Sequence, residues 1–485
     1  MANTISSLQL YAPKSWSGLT TENHLGSVFA AEPTLVSNII SRVFGMNQYA
    51  GMDYFLSVGG GEQELDTDND FEWYLKGDDE KAITINGYST GSTIAPAKPG
   101  QHGSLVTIFM AEKYFAMSDK LVLDDGETAV RVMQEPYAQG GGYAYPCALM
   151  SSNSADFIAP SLLAAGSKAS KEYSPQERTL NRTYGETHYS SPFKMRNAMS
   201  FLSKTYTIPG NMHQRPLVIE MMDPKSNKTT KIWTQYAEYE FMCQWMKEKE
   251  RMLWFSKSNK QINGSYAMMG DSGSAIVEGA GLREQISPSY KFHYTDFTID
   301  YLEDVLLNLS INLLPEDQRN FVAFTGERGM VQFHRALENH AARFQPLDSK
   351  RISGDGQNLG FQGQYREYMG PQGIKFTLVH LPLYDDEIRN RVPHPKGGYT
   401  ESYRYTILNM GTSGGENNIR RVYPKGRKEL MWHVAGSTSP LGPNTSFSSG
   451  SSSPVDGYQL FAQAQQGVLI QNPMSCAELI YSSTL

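Results

Sequence analysis

The sequence predicts an α+β chain built around one long, rod-like helix, and three patterns carry that expectation. First, Lys231 to Lys257 contains neither Gly nor Pro, and Ile232, Tyr236, Tyr239, Cys243, Met246 and Leu253 recur at four- and three-residue spacing. Such spacing puts one apolar stripe on a helix. About 25 residues at ~1.5 Å each make a rod of roughly 38 Å, too long to serve only as a packing element of a small domain. Second, the stretch from about 55 to 135 breaks into short β-like segments between Gly and Asp turns. Third, the chain beyond the rod alternates helix and strand patterns before closing on strands.

Taken in order, residues 1–30 are polar and irregular and read as an extended arm. Pro33 to Gly45 reads as a short helix, with Leu35, Ile39 and Val43 four residues apart and Gly45 as the stop. Strands are expected at Phe71–Lys76, Lys81–Asn86, Leu105–Met110 and Ala129–Gln134. Residues 136–190 are rich in Gly, Ser and Ala and read as an insertion with little core of its own. Strand patterns return at Met199–Ile208 and Pro216–Met222, and the rod follows. A helix from Thr298 to Leu313 has Thr298 as its N-cap, acids near its positive end, and Ile299, Leu302, Val305, Leu306 and Leu309 as its buried face. Pro315 stops it, a strand at Phe321–Phe324 leads through a turn, and Met330–Ala341 is again amphipathic. Strands at Ile374–His380, Tyr403–Leu408 and Leu430–Val434 precede a Ser/Pro/Gly-rich loop at 437–457 and the closing strands Tyr458–Ala464 and Gly467–Ile470.

Composition narrows the class. At 485 residues the chain exceeds one ordinary core, so two or three domains, or one with large excursions, are expected. Its 43 Lys and Arg against 50 Asp and Glu give a net charge of −7, which argues against a nucleic-acid grip built on a basic surplus. The densest basic patch, Arg420, Arg421, Lys425, Arg427 and Lys428, reads as a solvated loop. The 28 Tyr and 21 Phe suit a surface buried between chains, although an ordinary β-rich protein shares that trait. Cys147, Cys243 and Cys476 follow no metal-ligand spacing and read as small buried hydrophobes in a reducing compartment. The first residues lack the basic start and apolar run of a signal peptide, and no stretch approaches membrane-spanning length.

Several motifs invite a chemical reading. Gly270-Asp271-Ser272-Gly273 is the tetrapeptide around the nucleophile of chymotrypsin-like proteases. A serine hydrolase using Ser272 needs a His base and a carboxylate to orient it. Here Ser274 stands where those proteases have a second Gly, and none of the upstream histidines has the matching context. Asp66, Asp68 and Asp70 resemble the start of a calcium loop, but Phe71 and Gly77 occupy the positions that need Gly and a bidentate Glu. The Gly triplets at 59–61 and 140–142 lack phosphate-loop spacing. No catalytic, cofactor-binding or metal-ligating residue is nominated, and the chain is expected not to be an enzyme.

Five segments carry a resemblance. They are ELDTDNDFEWYLKGDDE (64–80), SSPFKMRNAMSFLSKTYTI (190–208), WTQYAEYEFMCQWMKEKERMLWFSKSN (233–259), GAGLREQISP (279–288) and DYLEDVLLNLSINLLPEDQRNFVAFTGERGMVQFHRAL (300–337). Together they resemble the major capsid proteins of crAss-like tailed bacteriophages, and the order of elements looks like the Hong Kong 97-type capsid fold. The resemblance implies an N-terminal arm and short helix at 1–50, then an extended β-hairpin loop region at 51–215 with the insertion at 136–190. A peripheral domain with the spine helix 231–257 follows at 216–295, then an axial domain at 296–435 and a return to the peripheral domain at 436–485. It further implies self-assembly into hexamers and pentamers, an icosahedral head around double-stranded DNA held non-specifically, and portal and auxiliary or head-fibre partners. The expected location is the virion, with assembly in the host bacterial cytoplasm. From the start at Met1, no long N-terminal scaffolding segment is expected to have been removed.

A long β excursion without a core cannot satisfy its own apolar face or strand edges, so it is expected to lie on a neighbouring copy. Contact candidates between copies are Phe71, Trp73, Tyr74, Lys76 and Arg131 on the excursion, and Glu238, Lys247, Glu250 and Arg251 on the rod. The rod's charges are expected to face solvent or neighbours, and its Tyr/Met/Cys stripe the peripheral sheet. A carbohydrate-binding fibre or decoration protein is the remaining alternative, and it predicts a β-rich trimer without a long isolated helix.

Overall fold

The computed structural model describes residues 51–59, 61–66, 70–77, 79–176, 189, 191–210, 216–222, 229–311, 314–315, 318–339, 345–346, 366–370, 373–413, 415–443 and 452–483. The expected arm and the helix at 33–45 lie outside them. The chain divides into two compact units, one formed by Tyr74–Lys194 and the other by the remainder.

The first unit overturns the reading of a core-less excursion. Its main strands are β1 (Ile83–Thr90), β2 (Val106–Met110), β3 (Lys120–Leu123), β4 (Ala129–Val132), β5 (Gly142–Leu149) and β6 (Lys168–Lys171). They pair antiparallel in the order β1-β2-β5-β4-β3-β6, and β6 pairs back onto β1 through Ala169 and Ile83. The sheet is thus a closed six-stranded barrel, with the two-residue strand Thr93–Ile94 and the three-residue strand Tyr137–Gln139 added outside the ring. Alternate residues point inward, as a barrel requires. Ile85, Val106, Ile108, Met110, Leu121, Val130, Val132, Tyr145 and Cys147 fill it. The Gly/Ser/Ala-rich stretch supplies β5 and β6 and the buried Ile158 and Leu163, so it is part of this core. Of its glycines, Gly142 is required by close packing, since a Cβ would meet the Met110 carbonyl at 2.4 Å, whereas Gly140, Gly141 and Gly166 take the positive φ of turns.

The second unit begins with helix α1 (Met52–Val58), which the sequence pattern did not suggest. Helix α2 (Trp233–Phe255) is the expected rod. It packs on a five-stranded sheet in which Gly457–Ile470 lies between Ser200–Pro209 on one side and Leu430–Ala435 followed by Ile419–Pro424 on the other, with Glu62–Leu65 beyond Ile419–Pro424. The buried face differs from the expected stripe: Phe241 and Trp245 press on Ala462 and Ala464, while Met246 is exposed. Two alanines on the strand leave room for a Trp against the sheet, and the Trp245 indole donates to Glu429 at 2.5 Å. Lys249 is buried beside it, 2.9 Å from the same carboxylate.

A seven-stranded mixed sheet forms the rest, in the order Lys291–Tyr294, Ala477–Tyr481, Tyr405–Asn409, Asn320–Thr325, Lys375–His380, Arg366–Met369 and Gln345–Pro346. Its central strand alternates between two cores. Phe321 and Ala323 pack with helices α3 (Ile299–Ser310) and α4 (Glu327–Asn339) on one face. Val322 and Phe324 pack on the other, with Met52 and Leu56 of α1 and Leu253 and Trp254 of α2. The α3 buried face is the one read from sequence, and the Thr298 hydroxyl accepts from the Tyr301 amide at 3.2 Å. Thr298→Ala is expected to cost about 1 kcal/mol of stability, read as a lowered urea midpoint, because one helix-end N–H loses its acceptor.

Candidate functional site

The C-terminal end of α2 lies in a concentration of cations. Lys247 and Arg251 both reach Asp386, at 3.1 and 2.6 Å. Arg283 bridges Glu401 at 2.9 Å and Glu478 at 2.8 Å. Arg404 shares both carboxylates, and Lys291 stands 4.0 Å from Glu478. Arg389 lies over the Phe255 ring at 3.0 Å from its centroid, a cation–π arrangement, and no carboxylate is ion-paired with it among the described residues. Six cations thus meet three carboxylates. Glu387 and Arg391, both exposed on the same loop, add one charge of each sign.

The electrostatics follow from that imbalance. Burial alone would raise the pKa of Asp386, but hydrogen bonds from Arg251 and Lys247 outweigh it and hold the carboxyl below its usual range. Glu401 behaves alike: burial opposes ionisation, and the charges of Arg404 and Arg283 win. Partial burial and the nearby charge of Arg283 both depress Arg389. A depressed carboxylate contributes stability that is present above its ordinary pKa, around pH 4, and is lost as pH falls through its lowered value. Asp386→Asn is therefore expected to lower stability at neutral pH and to flatten the acid limb of the stability–pH curve below about pH 4. An unchanged acid limb in urea melts at several pH values would show that this pair is not part of the acid response.

The nine contact candidates divide by where strand and helix geometry aim them. On Asp70–Leu75, Phe71 and Trp73 face inward, stacked 5.9 Å apart, while Tyr74 is exposed. Phe71 and Trp73 are thereby corrected to core residues, because strand alternation sends them to the side opposite Tyr74. Lys76 pairs with Asp79 at the surface. Arg131 bonds the Ser118 hydroxyl and the Pro175 carbonyl within the barrel unit. Glu238 accepts from the Tyr458 hydroxyl at 2.7 Å. Glu250 is also corrected: it is fully buried and accepts from the amides of Met52 and Asp53 and from the Trp254 indole. Lys247 and Arg251 alone among the nine enter the cation cluster.

Sequence reasoning missed Arg283, Arg389, Glu401 and Glu478, which are far apart in the chain. The one local signal was Asp386–Val392, where charges alternate with Ile388 and Val392, both largely exposed. It also missed uncovered apolar groups: Trp432 stacked on Phe461 at 5.3 Å, Phe201, and Ile262, Met268, Met269 and Ile276 in the segment after α2. Exposed apolar groups on this scale mark surfaces that other molecules cover.

The chemical motifs resolve into structure. Ser272 lies in an exposed turn closed by the Met269–Ala275 bridge, and no histidine bonds to it among the described residues. His380 at 2.7 Å and the Ser402 hydroxyl at 2.5 Å both meet Asp385, whose carboxylate also accepts from the Glu327 amide at the start of α4. With the carboxylate between serine and histidine, this is a helix cap and no nucleophile relay. No group of three potential metal ligands occurs among the described residues, and no helix among them is long and apolar enough to cross a membrane.

A sequence model of the Crassvirus major capsid protein family matches residues 2–484. The chain belongs to that family. It is 29% identical over 511 aligned residues to the major capsid protein of Bacteroides phage crAss001, covering 99% of each chain. Among solved structures it is similar to a Mycobacterium phage Patience chain, at 9% identity and a TM-score of 0.34 over 77% of this chain and 83% of that one. A chain from the capsid of the cyanophage P-SCSP1u is similar at 10% identity and a TM-score of 0.32, over 64% and 81%. As a Crassvirus major capsid protein, the chain is a component of the virion capsid.

Proposed function

We propose that the chain self-assembles into rings of six and five that tile an icosahedral head around double-stranded DNA, in a Hong Kong 97-type arrangement, without turning over a substrate. The family match across nearly the whole chain is the observation that carries this reading. In it, α2 is the spine helix, and the sheet of Ser200–Pro209, Gly457–Ile470 and Leu430–Ala435 belongs to the peripheral domain. The seven-stranded sheet with α3 and α4 is the axial domain, and the barrel is an insertion in the extended-loop region. The arm at 1–50, Tyr74 and Lys76 remain contact candidates. Portal and auxiliary or head-fibre proteins are proposed partners, with DNA touched only non-specifically, and assembly takes place in the host bacterial cytoplasm.

Negative-stain imaging of the purified chain tests the proposal. Shells, tubes or closed rings are expected. A monodisperse monomer at high concentration would overturn it. The hydrolase alternative has no observation in its favour, since Ser272 has no histidine partner among the described residues.

A further inference from the structure

We infer that the cation cluster at the end of α2 is one half of a head-to-tail contact, and that the other half is the acidic outer face of α3 on the next copy. The inference rests on the shell reading and deepens it by naming the partner surface.

Three observations carry it. The cluster holds more cations than carboxylates; Arg389 is its exposed member, and the same loop also exposes Arg391 and Glu387, so its solvent face carries a net positive charge. In a protein with a net charge of −7, such a local surplus is a built feature seeking an anion. The outer positions of α3, meanwhile, are Asp300, Glu303, Asp304 and Asn308, and the helix contains no Lys or Arg. Finally, the two surfaces belong to opposite faces of the same sheet. α3 packs on the face bearing Phe321 and Ala323, whereas Phe255, Trp254 and Tyr384 belong to the core on the face bearing Val322 and Phe324.

That placement decides the type of contact. Complementary patches on opposite faces cannot satisfy each other within one copy. They meet when successive copies are related by a rotation, which is the heterologous geometry that closes into rings. Opposite charge also fixes the register and disfavours face-to-face pairing of like patches. The cations are held in place before any neighbour arrives. Arg283 and Arg404 are fixed by Glu401 and Glu478, and Phe255 supports the Arg389 guanidinium from behind. Packaged nucleic acid is the competing source of negative charge, and the test separates the two.

The experiment uses the full chain in two charge-reversed forms. One carries Arg389→Glu and Arg391→Glu, and the other carries Asp300→Lys and Asp304→Lys. All four positions are exposed, so each form is expected to fold, and melting is measured first so that a loss of stability is separated from a loss of assembly. Each alone is expected to lose rings and shells, since every contact then joins like charges. A chain carrying all four substitutions is expected to regain shells. Mixed in equal amounts, the two forms are expected to alternate around a ring. Alternation closes sixfold rings but not fivefold ones, so the mixture gives flat sheets or tubes and no closed shells.

Normal assembly of either form overturns the inference, as does a four-fold substituted chain that stays unassembled. If the Arg389/Arg391 form assembles normally but loses affinity for a labelled DNA duplex, the cluster serves phosphate and the inference is again overturned. If the unsubstituted chain itself never assembles, the shell reading fails before this one is reached.

Discussion

Trp254→Ala is expected to lower the unfolding free energy by about 3–5 kcal/mol, the range for deleting a large aromatic from a packed core. Trp254 is fully buried, edge-on to Phe324 at 5.0 Å and to Tyr384 at 6.3 Å. Its indole also donates to Glu250 at 2.7 Å. The same carboxylate caps α1 through the Met52 amide at 2.6 Å and the Asp53 amide at 3.1 Å. Gly51 lies directly beneath it, where a Cβ would come within 2.1 Å of the carboxyl group. Removing the indole therefore leaves a cavity and frees one of three donors that orient Glu250. Urea unfolding of the unassembled chain measures the effect. A loss under about 1 kcal/mol would mean that the indole is not part of the core. Glu250→Ala should approach the same cost, because it orphans the buried Met52 and Trp254 N–H groups at about 1–3 kcal/mol each and the part-buried Asp53 amide at less, minus what relaxation recovers.

Arg421→Ala is the second large effect, expected at about 3 kcal/mol. Arg421 is 1% exposed and joins Asp53 of α1, Glu62 and the Ser57 hydroxyl. Truncating one partner of a buried ion pair typically costs 3–5 kcal/mol, since the other charge stays behind uncompensated. The lower end applies here, because Asp53 and Glu62 are partly solvated and Lys428 remains on Glu62 at 2.5 Å. Burial alone would raise the pKa of Glu62, but the hydrogen bonds from Lys428 and Arg421 hold it down. Its share of stability is present above the ordinary carboxylate range and fades as pH falls through the lowered value. The variant should accordingly lose less stability on acidification than the unsubstituted chain. Equal slopes in melts at neutral and acid pH would contradict that account.

Local signals were legible, and signals that depend on distant partners were not. The cap and buried face of α3 could be read, because they lie within a dozen residues, but the helix ends at Ser310 and not at the expected Leu313. The length of α2 was also readable, but its buried face was not. Tyr, Met and Cys mark a stripe as readily as Trp does, and only the small Ala462 and Ala464, some 200 residues on, decide which face packs. Arg420 and Arg421 looked like a solvated loop, yet both are buried in the strand Ile419–Pro424. Their composition announces charge, whereas the partner of Arg421, Asp53, is 368 residues away. The barrel was missed for the opposite reason: the Gly, Ser and Ala of the turns between its strands look like linker and hide the short apolar strands they join. Phe71, Trp73 and Glu250 were placed at the surface for want of knowing which side of their element faced the core.

Copies of a capsid protein accumulate at high local concentration, a condition in which open β-edges recruit strands from neighbouring chains and seed aggregates. In the ring formed by β1 to β6 each strand already has a partner on both sides, so it gives an incoming strand nothing to extend. More than a hundred residues between Tyr74 and Lys194 are carried in this form. Crowding of newly made chains therefore threatens this segment less than an open hairpin of equal size. Its outer loops can change sequence freely, provided that the interior still fills.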